Sequence, residues 1–348
     1  MTYNSIKKIT LSFIFLMIVL HLSAQENKFQ IAIVGFYNLE NLYDTVNDPN
    51  KNDEEFLPDG ANRWTGERYK IKLNQMATAI SRIGESTLKG GPAFMGVSEV
   101  ENATVIQDLL NTEPLKNLKY GFVHYDCRDR RGVDVGFIYK KDRFKVLGSK
   151  SFPLITADTS FYTRDQLLVK GLLDDEEVYI LVNHWPSRSG GEARSAPKRA
   201  AAADLTRSIS DSLIKNQPNV KLIIMGDLND DPTDASLLKH LKAKTNIEDV
   251  DKTDLYNPMN KLFKTGVGSL AYQDSWNLFD QIIVSYGITG KDFSSYKLFA
   301  AKIFNEDFLK QKSGAYDGYP FRTFVGGQFQ GGFSDHFPVY LILARKIK

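Results

Sequence analysis

The sequence predicts an α/β layered domain built on mixed β-sheets. Three observations carry this. Short apolar, β-branched runs alternate along the chain with segments of helical periodicity. Neighbouring runs are in places joined by tight polar turns, which makes hairpins and excludes a purely parallel sheet. No Pro-, Gly- or Ser-rich linker divides the 348 residues, so a single domain over residues 25–348 is expected.

The elements follow in order. Gln30 to Tyr37, QIAIVGFY, reads as an early buried strand. Asp44 to Gly60 is polar and turn-rich and reads as a loop. Its Asp48, Asn50 and Asn52 echo a calcium loop, but the turn glycine and the final Glu are missing. Arg68 to Ile83 carries Leu73, Met76, Ile80 and Ile83 at helical spacing. AFMGVSEVE is a second buried strand. Asp134 to Tyr139 and Leu167 to Leu172 are two more, and Val178 to Asn183 pairs with the latter through the acidic turn Asp174 to Glu177. Glu192 to Ile214 is Ala-rich and predicts a long helix. Lys221 to Gly226, Phe279 to Val284 and Val339 to Ala344 complete the strands.

Hydrophobic residues make up 42% of the chain, with 22 Phe and 16 Tyr, which supports a large core and excludes a disordered chain. Lys7 and Lys8, an apolar run from Ile9 to Leu22, and Ser23-Ala24 have the layout of a secretory signal peptide over residues 1–24. The alternative, an uncleaved anchor, has an apolar run shorter than the roughly 20 residues a membrane span needs. Cleavage leaves 42 basic and 42 acidic residues, so overall charge directs the protein to no polyanion. Export to the periplasm or the medium is expected. The single cysteine, Cys127, excludes an intrachain disulfide, and its surroundings suggest an unreactive thiol.

Polar groups recur where the apolar runs end. FYNLEN carries Asn38 and Glu40, GVSEVE carries Glu99, and LVNHWPSR carries His184. IIMGDLNDDP carries Asp227 and Asn229, NLFDQIIV opens on Asp280, and GGFSDHFPV supplies Asp335 and His336. Each motif alone has a bland explanation as a solvated strand end or an Asx turn. Six of them beside buried strands imply convergence, because an unpaired buried polar group costs several kcal/mol, roughly 2–7. Glu99, Asp227, Asp335, Asn38, Glu40 and Asn229 are oxygen donors, which suit Mg²⁺ or Mn²⁺, with Ca²⁺ as a further hard cation. Two histidines among so many carboxylates do not favour a zinc cage. A hard cation with carboxylates and imidazoles is the equipment for attack by water on phosphorus.

Taken together, YNLEN, SEVEN, NHWPSR, GDLND, FDQIIVS and SDHFPV resemble the successive motifs of the endonuclease/exonuclease/phosphatase superfamily, the deoxyribonuclease I-like fold. The resemblance runs from about Gln30 to Leu343. It implies a four-layered α/β sandwich, two packed mixed β-sheets flanked by helices, and metal-dependent phosphoester hydrolysis. It implies Glu99 as the main metal ligand, with Asn38, Glu40 and Asp335 as further metal or water contacts. Asp227 and Asn229 would align water and phosphate, Asp280 would orient His336, and His336 and His184 would act as acid, base or phosphate contact. Asp134 is the candidate carboxylate partner of His184. Arg188 and Arg131 are the candidate substrate contacts, from two arginine-rich stretches that include Arg128, Arg130, Arg194, Lys198 and Arg199. An exported nuclease is the expected function. The alternatives are a hydrolase of phospholipids, inositol phosphates or small phosphoesters, and a binding module without catalysis, against which the retained catalytic residue types weigh.

Overall fold

The computed structural model describes residues 28–156, 158 and 160–347; the segment read as a signal peptide, 1–24, lies outside them. In chain order the elements are β1 (Phe29–Leu42), α1 (Gly66–Arg82), β2 (Phe94–Val100), α2 (Ala103–Asn111), β3 (Tyr120–His124), β4 (Asp134–Lys140), β5 (Phe144–Phe152), β6 (Gln166–Leu173), β7 (Glu176–His184), α3 (Glu192–Asn216), β8 (Leu222–Asp227), β9 (Ala243–Lys244), β10 (Leu255–Tyr256), α4 (Met259–Phe263), β11 (Leu270–Tyr272), β12 (Ser275–Asn277), β13 (Asp280–Ser285), α5 (Tyr286–Thr289), β14 (Lys297–Ile303), β15 (Phe324–Val325), β16 (Gln328–Phe329) and β17 (Val339–Lys346).

Two large mixed sheets result, as expected. One has the order β14-β17-β1-β2-β4-β3, the other β5-β6-β7-β8-β13-β10-β9. Alternation along each strand sorts side chains into layers. On β1, Ala32, Val34 and Phe36 point between the sheets and meet Ile180, Val182, Ile223, Met225 and Ile282 in the central core. Ile33 and Tyr37, from the other face of the same strand, pack under Leu73, Met76 and Ile80 of α1 and Val105, Ile106 and Leu109 of α2. The outer face of the second sheet, with Leu181, Leu222, Ile224 and Ile283, is covered by Ala202, Ala203 and Ile209 of α3. The layers are therefore helices, sheet, sheet, helix. On the inner face of β2 stands Gly96, at which a Cβ would lie within 3.1 Å of Val182 and Met225 of the opposite sheet and of Phe36.

Local chemistry starts both helices on the first sheet. The Thr65 hydroxyl accepts from Arg68 N at 3.4 Å at the head of α1, and Asn102 Oδ1 accepts from Val105 N at 3.0 Å at the head of α2. No helix among the described residues is long and apolar enough to cross a membrane.

The topology also directs the polar strand ends to one rim. β1 and β2 run parallel, so Asn38 and Glu99 leave at the same end; β17 runs antiparallel to β1, so its start joins them. In the second sheet His184 ends β7 and pairs in register with Asp227 at the end of parallel β8. Antiparallel β13 begins there with Asp280 opposite Asp227.

Candidate active site

Asp227 is the hub of this rim. Its Oδ2 accepts from Asn38 Nδ2 at 3.0 Å and lies 3.6 Å from His184 Nε2 and 4.0 Å from His336 Nε2. Its Oδ1 accepts from the backbone N–H of Asn229 at 3.0 Å. Burial, and then the charges of Asp280 and Glu99, push its carboxyl up to about 7, although His336 opposes the shift. Asn229 is fixed in turn by donating from Nδ2 to Trp185 O at 3.0 Å.

His336 and Asp280 form a dyad. His336 Nδ1 meets Asp280 Oδ2 at 2.6 Å, and Ser269 Oγ donates to the same oxygen at 2.5 Å. Burial alone would disfavour the imidazolium. The negative charges of Asp280, Asp335 and Asp227 outweigh it and hold the ring well above the ordinary histidine range. His184 has the opposite fate. Burial, and then the charges of Arg164, Arg131 and His336, hold it well below that range, so it is a neutral imidazole. Its carboxylate neighbours are Asp227 and Glu99, the latter at 3.8 Å. Asp134 is not its partner: that carboxylate bonds His124 Nε2 at 3.0 Å and Cys127 N at 3.0 Å on the far side of β4. Register explains this, because Asp134 opens β4 and faces the end of neighbouring β3 rather than the second sheet.

Glu99 Oε2 accepts from Asn41 N at 3.0 Å, and its Oε1 faces His184. Among the described residues no hydrogen bond reaches the Asp335 carboxylate, which is a third exposed. Four residues of the rim, Glu40, Asn41, Glu99 and Asn229, hold φ of 50°, 57°, 59° and 52°. Such left-handed backbone at non-glycine residues costs about 1–3 kcal/mol each, and it concentrates where geometry matters for function. The motif GGFSDH turns the same way at Gly331, φ 68°, and a Cβ at Gly332 would collide with the carbonyls of Phe321 and Arg322, so only glycine fits there.

Glu40 stands slightly apart. Its Oε2 accepts from Thr323 N at 2.7 Å and Thr323 Oγ1 at 2.6 Å, and lies 3.6 Å from the buried Lys72 Nζ. Burial and the nearby Asp335 raise its carboxyl to about 7 against the pull of Lys72. Sequence inspection passes over Lys72, Thr323 and Ser269. Lys72 does leave a signal, a lysine in phase with the apolar face of α1 one turn before Met76.

The arginines divide. Arg188 donates to Asn229 O at 3.0 Å, Glu192 at 2.8 Å and Asp234 at 2.8 Å, so it braces the Asn229 turn with donors already committed. Arg199 is buried against Asp230 at 2.6 Å. Arg131 stays half-exposed and lies within the electrostatic reach of Glu99 and His184. Arg128 and Arg130 lie over the Tyr162 ring at 5.2 and 5.6 Å.

The donor set fits a hard divalent cation. Ligand atoms of Asp227, Asp280 and His336 lie within 4.8 Å of one another. Among the described residues the buried Asp280 Oδ1 has no hydrogen-bond partner, and Glu99 Oε1 and the partly exposed Asp335 carboxylate accept no hydrogen bond.

Comparison with known proteins agrees with this fold. Residues 33–345 match the Endonuclease/Exonuclease/phosphatase family. Among solved structures, an endonuclease/exonuclease/phosphatase family protein from Bacteroides thetaiotaomicron is 17% identical, with a TM-score of 0.57 over 92% of this chain and 100% of that one. TDP2 of D. rerio, complexed with single strand DNA product, is 14% identical, with a TM-score of 0.53 over 90% of this chain and 99% of that one. A mannosyl-6-phosphatase of B. thetaiotaomicron is 16% identical, with a TM-score of 0.53 over 90% and 99%. No curated protein matches by sequence. With nearly the whole described chain matched and both sheets converging on one polar rim, the chain belongs to the endonuclease/exonuclease/phosphatase family of divalent-metal-dependent phosphoesterases.

Proposed function

We propose that this protein is an exported nuclease that hydrolyses phosphodiester bonds with a divalent cation, Mg²⁺ or Mn²⁺, and that the Asp227, His336 and Asp280 constellation carries the chemistry. Glu99, Asn38 and Asp335 would hold the ion, with Glu40 behind them. When bound, the ion supplies neutralisation of phosphoryl charge. Asp227, with a carboxyl near 7, takes the proton of the attacking water through Oδ2. A base poised near the working pH transfers protons best. Asn38 and the Asn229 N–H fix that carboxylate in place. His336, charged and oriented by Asp280, donates from Nε2 to a phosphoryl oxygen where negative charge develops. Neutral His184 donates a second hydrogen bond beside it.

The basic loop that carries Arg131 favours nucleic acid as the substrate. Arg131 lies within the field of Glu99, Arg128 and Arg130 of the same loop lie over the Tyr162 ring, and Lys198 lies 4.0 Å over Phe161. Cations interleaved with aromatic faces suit a strand of phosphates and bases. The equal numbers of acids and bases in the processed chain favour a second substrate class, small phosphoesters. A panel of single-stranded DNA, RNA, plasmid, sugar phosphates, sphingomyelin and bis(p-nitrophenyl) phosphate, each with Mn²⁺ or with EDTA, separates them. Turnover of sugar phosphates alone would move the assignment to the small-molecule class.

A further inference from the structure

We infer that the cleft between the β11–β12 and β15–β16 hairpins is a subsite for an unpaired nucleobase flanking the scissile phosphate. The inference rests on the nuclease reading. The cleft has a volume of about 380 Å³, in the range of ligand pockets. Its walls include Tyr272, Tyr316 and Tyr319, with Gln273, Gln311 and Arg322 among them.

Both hairpins are rooted in the active site. Ser269, at the foot of β11, bonds Asp280 through Oγ and accepts Phe337 N at 2.6 Å through its carbonyl. Trp276 of β12 stacks on Phe337 with centroids 6.1 Å apart and planes at 13°. Thr323, beside Arg322, holds Glu40. The arms of β11 and β12 have three residues each and extend about 10 Å, so the tip of that hairpin stands about that far from its foot at Ser269, the residue that bonds Asp280.

The tyrosines are built for a flat ring. Tyr319 is fixed: its hydroxyl donates to Asp274 Oδ1 at 2.6 Å, and its ring meets Trp276 edge-on at 5.7 Å. Tyr272 is 67% exposed; Tyr316 is 51% exposed and lies against the Tyr319 ring with centroids 5.8 Å apart, so the two present aromatic surface to the cleft. Amide groups of Gln273 and Gln311 and the Arg322 guanidinium supply donors and acceptors for a ring edge. Arg322 and Asp274 nearly cancel, so the cleft suits the uncharged part of a nucleotide, while Arg131, within the field of Glu99, is placed for a phosphate. A paired base is hidden in its duplex, so this subsite selects single strands or frayed ends.

The test compares Tyr272→Ala, Tyr316→Ala and the double variant with the parent, each with Mn²⁺. Substrates are a single-stranded oligonucleotide, the same strand with one abasic nucleotide moved along it, a blunt duplex, a sugar phosphate and bis(p-nitrophenyl) phosphate. Expected is a fall of about tenfold or more in kcat/KM on the base-bearing strand relative to bis(p-nitrophenyl) phosphate. The parent should also lose a similar factor when the abasic nucleotide flanks the cleaved bond. Equal losses on both substrates, unimpaired cleavage at abasic positions, or losses confined to the sugar phosphate would overturn the subsite. Turnover of bis(p-nitrophenyl) phosphate without any cleavage of nucleic acid would overturn it while leaving phosphoester hydrolysis standing. Absence of all turnover would instead remove the functional reading on which it rests.

Discussion

At the scale of single residues, His336 and Asp280 act as one unit, and this sets what their removal should do. His336 is buried with its ring on the buried Asp280 carboxylate, so His336→Ala should cost roughly 10² to 10⁴ in turnover and, by leaving Asp280 without its cation, should also lower the melting temperature without unfolding the protein. Asp280→Asn keeps the ring but removes the charge that orients it and keeps it protonated, so its loss should be smaller. The double variant should cost far less than the product of the two. Kinetics and thermal melts of the three proteins decide this; a loss that tracks a collapsed melting temperature would make the dyad structural. Glu99 tests the ion. Among the described residues its carboxylate accepts one protein N–H, from Asn41, while Oε1 faces His184. Glu99→Gln should keep that bond yet weaken Mn²⁺ binding, read by titration calorimetry, and remove most activity. Full activity of the parent protein after metal stripping in EDTA would reject the hydrolytic mechanism. The residues of this unit were legible in the sequence because each ends or opens an apolar run. The partner of His184 was not, because which carboxylate it meets depends on register between strands, and Asp134 turned to His124 instead.

At the scale of elements, the buried strands β1, β2, β7, β8, β13 and β17 were readable because both faces are covered and the runs are continuous. The strand β5, FKVLGSKSF, was not: it is an edge strand with mostly exposed Lys, Ser and Gly, and it carries no apolar run. Helix α2 was missed for its nine-residue length, although Asn102 and the spacing of Val105, Ile106 and Leu109 announce it. The clamp between α1 and the 321–333 segment had no linear signature at all. Lys72 Nζ donates to Thr323 Oγ1 at 2.7 Å and Phe333 O at 2.6 Å beside Glu40, tying α1, the end of β1 and the loop before SDH together. Lys72→Met leaves Glu40 buried without a cation and should cost about 3–5 kcal/mol. Adding Glu40→Gln should recover part of that loss. Urea denaturation of the two singles and the double measures the coupling; strictly additive values would mean that the pair does not interact.

Electrostatics at the opposite edge set the response of the fold to acid. Asp174 bonds Arg143 at 2.6 Å and the Tyr296 hydroxyl at 2.5 Å, and Glu176 bonds Lys221 and Arg345. Burial would raise both carboxyls, but these partners outweigh it and hold them below the usual range. A carboxyl depressed on folding stabilises the native state at pH above its unfolded value of about 4, and that stability is lost as pH falls through the lower folded value. Stability to urea should therefore drop below about pH 4. Asp174→Asn should flatten that drop while lowering stability at pH 7. An unchanged acid slope in this variant would show that other carboxyls govern it.

At the scale of the whole molecule, the proposal of export raises a question of stability. Small exported domains lean on disulfides, but a chain of this size can bury enough surface to do without them. With one cysteine no intrachain disulfide can form, and Cys127 is buried, with burial pushing its thiol up and away from reactivity. Three large cores, one between the sheets and one beneath each helical layer, together with a smaller cluster of Tyr43, Phe56, Trp64 and Val133, must carry the fold. Among the described residues the first sheet begins at Phe29, paired with Lys346. Two outcomes are expected from these facts. Mass spectrometry of protein recovered from the periplasm or medium should find a chain that starts near Gln25. Its melting temperature should be the same with and without dithiothreitol, and the same as that of a chain made without residues 1–24. A lower melting temperature in dithiothreitol would require a bond between Cys127 of two chains, which its burial opposes, and a retained leader would favour the membrane-anchored alternative over release.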